Sequence, residues 1–398
     1  MTITSLAGMV ELHRGQSYKS ALLDEPGPYL LGLGTIARNG GFAGGSLRTY
    51  GGDSPDRILV RPGDLYLSLK DVTHKADLLG AVARVPDNVR LGRLTQDTVR
   101  LQITSDEVSA DYLYWLLQAP DYRAYCRLRG TGTTNLDLSR ADFLGYEFRL
   151  PPLPEQQAIA EVLGALDDKI AANTALAATA DSVAATEFQT HLRRAEVRNE
   201  ALADVATIVL GGTPSRARPE YWTDGTVPWL NSGAVNATRI VEPSEYITAQ
   251  ALSNSAAKIM PSGSTLLAIT GATLGQIARL EIEASGNQSI VGIWSTDAAM
   301  NTWLYFAIQA RLEDLLARAT GAAQQHVSKG DVEQLVVPVP SQGVLLNFST
   351  VATPLLELAA LLERENRTLA ATRDALLPRL MSGKLRVRDA VRAVEQVV

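Results

Sequence analysis

A chain of 398 residues is longer than one typical domain and accommodates two, each large enough to bury its own core. Its composition, with 46% hydrophobic and 20% charged residues, excludes a largely disordered chain. The net charge of −6 excludes a uniformly basic surface, so any surface that attracts nucleic acid has to be confined to part of the chain.

The remaining composition limits the chemistry and the compartment. The single cysteine, Cys126, excludes an internal disulfide and a multi-cysteine zinc site. Residues 1–5 lack the basic and apolar regions of a secretory signal peptide, and no apolar run approaches the ~20 residues that span a bilayer. We therefore expect a cytoplasmic protein without a metal site and without a membrane partner.

The first 150 residues are rich in glycine and contain short β-like runs. These runs are 58–60, 65–69, 80–85 and 98–103, and a helical pattern covers 111–117. Because strands and a helix are mixed in this way, the sequence predicts an α/β domain over residues 1–150.

A long helix is predicted next, over residues 151–196. Prolines at 151, 152 and 154 precede its apolar pattern, in the place where the fixed φ of proline is tolerated ahead of a helix. Apolar residues then recur at steps of four and three, which is the spacing of a seam that faces a partner helix. The seam residues are Ile159, Leu163, Leu166 and Ile170.

The second half of the chain repeats this organisation. β-like runs at 265–269, 276–281 and 289–294 and a helical pattern at 302–317 predict a second α/β domain over 197–340. A second long helix is predicted over 341–382, with Val351 and Leu358 at intermediate positions of its seam. Residues 383–398 form a short amphipathic tail helix in this interpretation. The seam residues that recur every seven positions are Phe348, Leu355, Leu362, Leu369 and Leu376.

Direct sequence similarity between the halves supports a duplication. Residues 173–181 recur as 366–374, and residues 80–84 and 151–156 recur as 275–279 and 337–342, all at offsets near 190. A period this long indicates two whole domains rather than a solenoid.

We expect the two long helices to pair as an antiparallel coiled coil, which gives the chain approximate two-fold symmetry with one α/β domain at each end. The alternative is that each helix packs only on its own domain. Asn173 and Asn366 interrupt the seams; they either fix the register by pairing or lie on a solvated face.

The sequence resembles the specificity subunits of Type I restriction-modification systems. Residues 150–159 (Leu-Pro-Pro-Leu-Pro-Glu-Gln-Gln-Ala-Ile) with 166–170 resemble the first helical region of the family, and 366–380 with 382–385 resemble the second. Residues 211–215 (Gly-Gly-Thr-Pro-Ser) resemble the motif that opens many target-recognition domains, and 14–18 are a looser match.

The resemblance implies two target-recognition domains that read a bipartite, asymmetric site in double-stranded DNA. It also implies two methyltransferase subunits and, in the full complex, two restriction subunits as partners. S-adenosylmethionine, ATP and Mg²⁺ would be bound by those partners, and this chain would hold no cofactor.

The sequence contains no catalytic motif that we recognise. It has no phosphate-binding loop and no Asn/Asp-Pro-Pro-Tyr/Phe motif, and its four histidines are scattered. We therefore predict no catalytic residue, no metal ligand and no enzymatic activity in this chain.

Candidate DNA-binding residues lie in loops, where basic side chains contact phosphates and polar side chains contact base edges. In the first domain two arginines precede the Gly/Thr-rich segment 130–135, whose backbone amides suit phosphate; the alternative is a flexible surface loop. The candidates there are Arg14, Gln16, Ser17, Tyr18, Arg48, Lys70, Thr73, His74, Lys75, Arg127, Arg129, Thr131, Thr133 and Asn135.

The second domain offers mainly uncharged candidates, among which Gln and Asn can pair with adenine. We interpret Tyr221, Trp222 and Trp229 as core aromatics rather than as surfaces on which bases stack. The candidates are Thr213, Ser215, Arg216, Arg218, Asn231, Ser232, Thr270, Thr273, Gln288, Gln324 and Gln325.

Two alternatives to this function remain. The acidic second domain favours a coiled-coil adaptor that binds proteins and has no DNA specificity. The other alternative keeps the family and places the chain in a methylation-only or other phage-defence system.

Overall fold

The computed structural model describes residues 2–45, 47–73, 75–133, 135–321 and 325–395. The chain divides into two compact units. Unit 1 contains Met1–Lys169 and Thr368–Val398, and unit 2 contains Ile170–Arg367. Each long helix is therefore divided between the units, whereas the predicted boundaries treated the helices as separate segments.

In unit 1 most of the strands lie within residues 2–103, and the α-helices begin after them. Its strands are β1 (Thr2–Ser5), β2 (Val10–Arg14), β3 (Tyr29–Leu31), β4 (Leu59–Val60), β5 (Leu65–Ser68), β6 (Lys70–Asp71), β7 (Val82–Arg84), β8 (Gly92–Leu94), β9 (Thr98–Ile103), β10 (Leu136–Asp137) and β11 (Glu147–Leu150). Its helices are α1 (Ala110–Leu116), α2 (Pro120–Arg129), α3 (Arg140–Leu144) and the first part of α4 (Leu153–Arg194).

Unit 2 follows the same plan. Its strands are β12 (Val197–Ala201), β13 (Thr207–Leu210), β14 (Val227–Leu230), β15 (Arg239–Ile240), β16 (Glu245–Ile247), β17 (Thr265–Ala268), β18 (Ile277–Leu280), β19 (Ser285–Gly286), β20 (Ile290–Trp294) and β21 (Val336–Pro340). Its helices are α5 (Leu202–Val205), α6 (Ala249–Ser253), α7 (Ala298–Ala310), α8 (Leu312–Leu316), α9 (Lys329–Glu333) and the first part of α10 (Gln342–Met381); α11 (Val387–Glu395) belongs to unit 1.

The sheets of the two units have the same strand order. The main sheet of unit 1 has the order β2-β9-β5-β7, and that of unit 2 has the order β13-β20-β17-β18, with antiparallel neighbours throughout. In unit 2, β15 extends the sheet by pairing parallel with β18. The shared order confirms the duplication that the sequence predicts.

Smaller details recur as well. A parallel pair, β3 with β8 and β14 with β19, lies in a second sheet of each unit. The hydroxyl of Tyr112 donates to the Arg149 carbonyl, and at the equivalent place Nε1 of Trp303 donates to the Pro338 carbonyl. The two units are therefore copies at the level of single contacts.

The short helices α3 and α9 also begin in the same way. The hydroxyl of Ser139 accepts from the Asp142 amide, and that of Ser328 accepts from the Asp331 amide. Each side chain satisfies a backbone donor that a helix start leaves without a partner. This shared Ser-x-x-Asp start fixes where the chain turns towards its last strand in each unit.

The long helices contribute to a domain core in unit 2. Phe188 of α4, Trp303 and Phe306 of α7 and Phe348 of α10 are buried together, with ring centroids 4.6–6.0 Å from Phe188. The helices therefore pack on the α/β domain as well as on each other, so the structure combines both sequence interpretations.

Contacts within unit 2 show that the helices run antiparallel. Asn173 lies beside Glu365, and fifteen positions further along α4, Phe188 lies beside Phe348. All nine predicted seam residues are buried or half-buried, as a seam between helices requires.

One detail of the seam prediction was wrong. Val351 is 43% exposed, whereas Leu356, five positions further along the helix, is buried at 1% exposure. A straight α-helix has 3.6 residues per turn, so a strict seven-residue spacing drifts away from the face that a broad domain core covers. The buried face of α10 in unit 2 follows the helical period.

Asn173 and Asn366 are buried rather than solvated, at 4% and 9% exposure. They do not bond to each other. Nδ2 of Asn173 donates to Glu365 at 3.0 Å, and Nδ2 of Asn366 donates to the Thr174 hydroxyl at 3.1 Å. Each asparagine thus bonds across to the opposite helix, as a buried polar residue that specifies register does.

Helix α10 departs from the expectation that no segment approaches membrane-spanning length. By length and composition it could cross a bilayer, with a mean hydropathy of 1.6 over its most apolar stretch. Phe348, Ala352 and Leu356 of this helix are buried in the core of unit 2, which accounts for part of its apolar character.

The predicted tail helix is observed as α11. The amphipathic pattern of this tail rests on Val387, Val391, Val394 and Val398. In the structure Ala390 is fully buried and Val391 is 38% exposed, so the buried face includes a residue outside that pattern. Val398 lies outside the described residues.

We predict that Leu356→Ala destabilises the protein by about 2–5 kcal/mol, because it leaves a cavity in a packed core. Val351→Ala, on the same helix, should change the free energy of unfolding by no more than about 0.5 kcal/mol. Urea-induced unfolding of the full chain measures both. Equal losses for the two variants would contradict the observed packing of α10.

Candidate nucleic-acid interface

A turn whose central residue is exposed occupies the same place in each unit, between two strands of the duplicated fold. In unit 1 it comprises residues 95–97, between β8 and β9, and in unit 2 residues 287–289, between β19 and β20. A backbone hydrogen bond closes each turn, from the Thr98 amide to the Thr95 carbonyl and from the Ile290 amide to the Asn287 carbonyl. We call these the 95–97 turn and the 287–289 turn.

A glycine packs against each turn with its backbone. Gly15 donates to the Thr98 carbonyl at 3.0 Å, and Gly211 donates to the Ile290 carbonyl at 2.9 Å. A Cβ on Gly15 would lie 2.1 Å from the Thr95 carbonyl oxygen, and one on Gly211 would lie 2.3 Å from that of Asn287. Only glycine permits this approach, which explains why 14–18 and 211–215 share this residue.

In unit 1 basic side chains from two segments lie at the 95–97 turn. Nε of Arg14 donates to the Gln96 carbonyl at 2.8 Å, and Nζ of Lys70 lies 3.6 Å from Asp97. Lys70 also pairs with Asp137 in the β6–β10 ladder, which places the segment containing Thr131 beside it.

A buried arginine that the sequence analysis missed holds the 14–18 segment. Arg93 is 2% exposed and donates to the carbonyls of Gln16 and Ser17 at 3.1 and 3.0 Å, while its guanidinium lies 4.6 Å from the Tyr50 ring centroid. Burial lowers the pKa of Arg93 from its ordinary value. Its role is therefore to position this segment rather than to contact DNA.

A buried carboxylate holds the neighbouring loop in a similar way. Asp71 is fully buried and accepts from the amide and hydroxyl of Thr73 and from the Leu78 amide, at 2.6–2.8 Å. Thr73 and Lys75 are exposed in this loop. His74 lies outside the described residues.

Two further basic candidates of unit 1, Arg127 and Arg129, are exposed but partnered. Arg127 and Arg129 end helix α2 rather than lying in a loop; Arg127 donates to Asn39 at 2.7 Å and Arg129 to Asp142 at 3.0 Å. Hydrogen bonds from Ser139 and then from Arg129 lower the pKa of Asp142. Arg129 also lies 4.9 Å from the Tyr125 ring.

Two further candidates of unit 1 line one small cavity. Tyr18 and Arg48 border a cavity of 270 Å³. Arg48 forms a two-point ion pair with Asp24, and the hydrogen bond from Arg48 lowers the pKa of Asp24. Thr133 and Asn135 are exposed near the end of α2.

In unit 2 uncharged polar side chains lie around the 287–289 turn. The Thr213 hydroxyl donates to Oε1 of Gln288 at 2.5 Å, and the Thr270 hydroxyl donates to that of Ser289 at 2.8 Å. The Asn287 amide donates to the Leu230 carbonyl, which places Asn231 beside the turn.

Thr270 also connects the turn to the segment before α9. It forms a bridge with His326, next to the exposed Gln325. Ser232 and Thr273 are half-buried, and Thr273 bonds to the Thr270 carbonyl. Gln324 lies outside the described residues.

Aromatic residues hold the 211–215 segment in unit 2. Nε1 of Trp229 donates to the Gly212 carbonyl and Nε1 of Trp222 to that of Ser215, both at 3.2 Å. Tyr221 and Trp229 are buried at 3% and 2% exposure, which confirms their interpretation as core residues, whereas Trp222 is half-buried. Trp222 and Trp229 thus hold the 211–215 segment as Arg93 holds the 14–18 segment.

The two arginines of this segment are already engaged. Arg216 lies 3.4 Å from the Trp222 ring and forms a two-point ion pair with Glu245, whose pKa the hydrogen bonds from Arg216 lower. Arg218 donates to the Tyr221 hydroxyl at 2.7 Å. Unit 2 therefore presents little unpaired positive charge around these two side chains.

Among the residues that the structure describes, no group of three or more His, Cys, Asp or Glu side chains is arranged to hold a metal ion. Cys126 is buried, and burial raises the pKa of its thiol.

The family model described as "Type I restriction modification DNA specificity domain" matches residues 86–180 and 196–343, which is more than half of the chain. The chain belongs to this family. The matched regions contain both turns.

Curated relatives are Type I restriction enzyme specificity subunits. The MjaIX subunit of Methanocaldococcus jannaschii is 23% identical over 74% of this chain and 73% of its own length. The EcoR124I/EcoR124II subunit of Escherichia coli is 25% identical over 37% of this chain, and the match spans 38% of that relative.

A solved structure shares the fold over nearly the whole chain. The S subunit of a Type I restriction-modification system from M. genitalium matches with a TM-score of 0.62 and 15% identity, over 96% of each chain. The predicted fold class, a mixed α/β protein with two tandem domains and two long helices, is thereby confirmed.

We predict that Gly211→Ala destabilises the protein by roughly 1–3 kcal/mol, because its Cβ would overlap backbone atoms that cannot move aside cheaply. Hydrogen exchange of residues 286–290 should accelerate. Gly343→Ala is the control, since nothing lies within 4 Å of its Cβ, and should be neutral or stabilising by up to about 1 kcal/mol. Unchanged exchange in the Gly211 variant would show that the turn does not depend on this contact.

Proposed function

We propose that this chain is the DNA-reading subunit of a Type I restriction-modification complex, and that each unit reads one half of a bipartite site through its turn. The observation that carries the proposal is the repetition of one exposed turn, surrounded by polar side chains, in a family of DNA specificity domains. Because the side chains around the two turns differ, the two half-sites are unlike.

The chemistry of the turns suits different kinds of DNA contact. Around the 95–97 turn, Arg14 and Lys70 supply positive charge for phosphates, and Arg129 adds positive charge at the end of α2. Around the 287–289 turn, Thr213, Asn231 and Gln288 supply donors and acceptors for base edges. Unit 1 should therefore contribute most of the salt-dependent part of the affinity.

The partners and cofactors belong to the proposal as well. The relatives are specificity subunits of restriction enzymes, which supports an assembly of this chain with two methyltransferase subunits and two restriction subunits. S-adenosylmethionine, ATP and Mg²⁺ would then be bound by those subunits, and this chain would catalyse no step itself.

We predict that Arg129→Ala weakens DNA binding and relaxes selectivity in one half-site only. If Arg129 contacts a phosphate, the slope of log affinity against log salt should fall by about one; if it contacts a base, the loss should be about 1–3 kcal/mol. The measurement is binding to duplexes in which one half-site or the other is scrambled.

Arg140→Ala is the matched control, because Arg140 is an exposed arginine of the same unit outside the candidate cluster. It should bind like the original chain. Equal losses on both half-sites for Arg129→Ala would remove this residue from the interface.

The bipartite site is tested by co-expression with the cognate methyltransferase and mapping of the methylated bases. We expect two short, unlike half-sites separated by an indifferent gap. One continuous motif would contradict the proposal, and the absence of sequence-selective binding by the complex would favour the adaptor.

A further inference from the structure

We infer that Gln96 and Gln288 are equivalent base-reading residues and that each recognises an adenine in its own half-site. The inference rests on the proposed function and specifies which side chains read a base that both halves share.

The two glutamines occupy the same position of the duplicated turn. Gln96 follows Thr95 and Gln288 follows Asn287, the residues whose carbonyls close the two turns. Both side chains are exposed. The glycine contacts of Gly15 and Gly211 fix the turn backbone beneath them, so the two side chains project from matching, rigid places.

A hydroxyl residue lies at the same register position after each of the two glycines. Gly15 and Gly211 are equivalent because they donate to the matching carbonyls of Thr98 and Ile290. Two positions further along, the chain has Ser17 in unit 1 and Thr213 in unit 2. Both units therefore have a hydroxyl residue two positions after the glycine and a glutamine in the turn that the glycine contacts.

In unit 2 this hydroxyl orients the glutamine. Thr213 donates to Oε1 of Gln288 at 2.5 Å, which occupies one of the two acceptor sites of that oxygen. The second acceptor site and the amide NH₂ group are left for a ligand. Thr213 is therefore a positioning residue.

A glutamine amide matches one base edge in the major groove. Adenine presents the N6 amino group as a donor and N7 as an acceptor, which pair with the amide oxygen and the amide NH₂. Guanine presents two acceptors there, cytosine a donor and thymine an acceptor. A glutamine in each turn thus selects adenine in its own half-site.

The neighbours of the two glutamines differ. Arg14 and Leu210 are equivalent by strand register, since they pair with Val99 and Val291. Lys70 and Thr270 likewise occupy matching places beside the turns. The shared glutamine therefore reads the common base, and the differing neighbours read the bases that make the half-sites unlike.

The test is selection of bound sequences from a randomised double-stranded DNA library by the full chain in complex with its methyltransferase subunit. Gln96→Ala should lower the preference for adenine at one position of one half-site by roughly 5- to 150-fold. Gln288→Ala should do the same in the other half-site. All other positions should keep their preferences.

Conservative variants separate base reading from a structural role. Gln288→Glu should move the preference at that position from adenine to cytosine, because a carboxylate accepts from the cytosine amino group. Thr213→Val should weaken the adenine preference at that same position only. Gln102→Ala and Gln250→Ala, which change exposed glutamines outside the turns, should leave the selected motif unchanged.

The outcomes distinguish the inference from the function beneath it. If the unmodified complex selects no motif, the proposed function fails. If it selects a bipartite motif and both glutamine-to-alanine variants select that same motif with the same preferences, the function stands and the inference is overturned. Loss of all selectivity in both half-sites by a single variant also overturns it, because each glutamine is assigned to one half.

Discussion

The candidate interface depends on a backbone contact that only glycine allows. Gly15 and Gly211 lie so close to the carbonyls of the 95–97 and 287–289 turns that there is no room for a Cβ atom. This contact joins the first strand of each main sheet to the turn, so residues distant in sequence present their side chains together. A surface that reads bases needs such rigidity, because a bidentate hydrogen bond tolerates little positional error.

The duplication preserves this contact while changing what supports it. In unit 1 the buried guanidinium of Arg93 holds the carbonyls of the segment after Gly15, and in unit 2 the indoles of Trp222 and Trp229 hold the equivalent segment. The side chains displayed also differ, basic in one unit and uncharged in the other. One backbone framework with exchangeable side chains is a physical basis for reading two unlike half-sites.

Much of the fold was predictable because its signals are local. The run 98–103 is observed as strand β9, and the helix predicted over 151–196 is observed as Leu153–Arg194. The supporting residues were not predictable. The sequence analysis did not single out Arg93 or Asp71, and the burial of Arg93 depends on partners such as Gln16, which lies 77 positions away. Val351 was misplaced because a seven-residue spacing assumes a single partner helix, whereas α10 also packs on a domain core.

Hydrogen exchange of the full chain, with and without a duplex that carries its selected site, tests the central claim most directly. The account predicts slower exchange on DNA binding in residues 15–18 and 94–98 of unit 1 and in 211–215 and 286–290 of unit 2. A duplex with one half-site scrambled should protect only one of these pairs. Unchanged exchange in all four segments, with protection confined to the long helices or α11, would contradict the account.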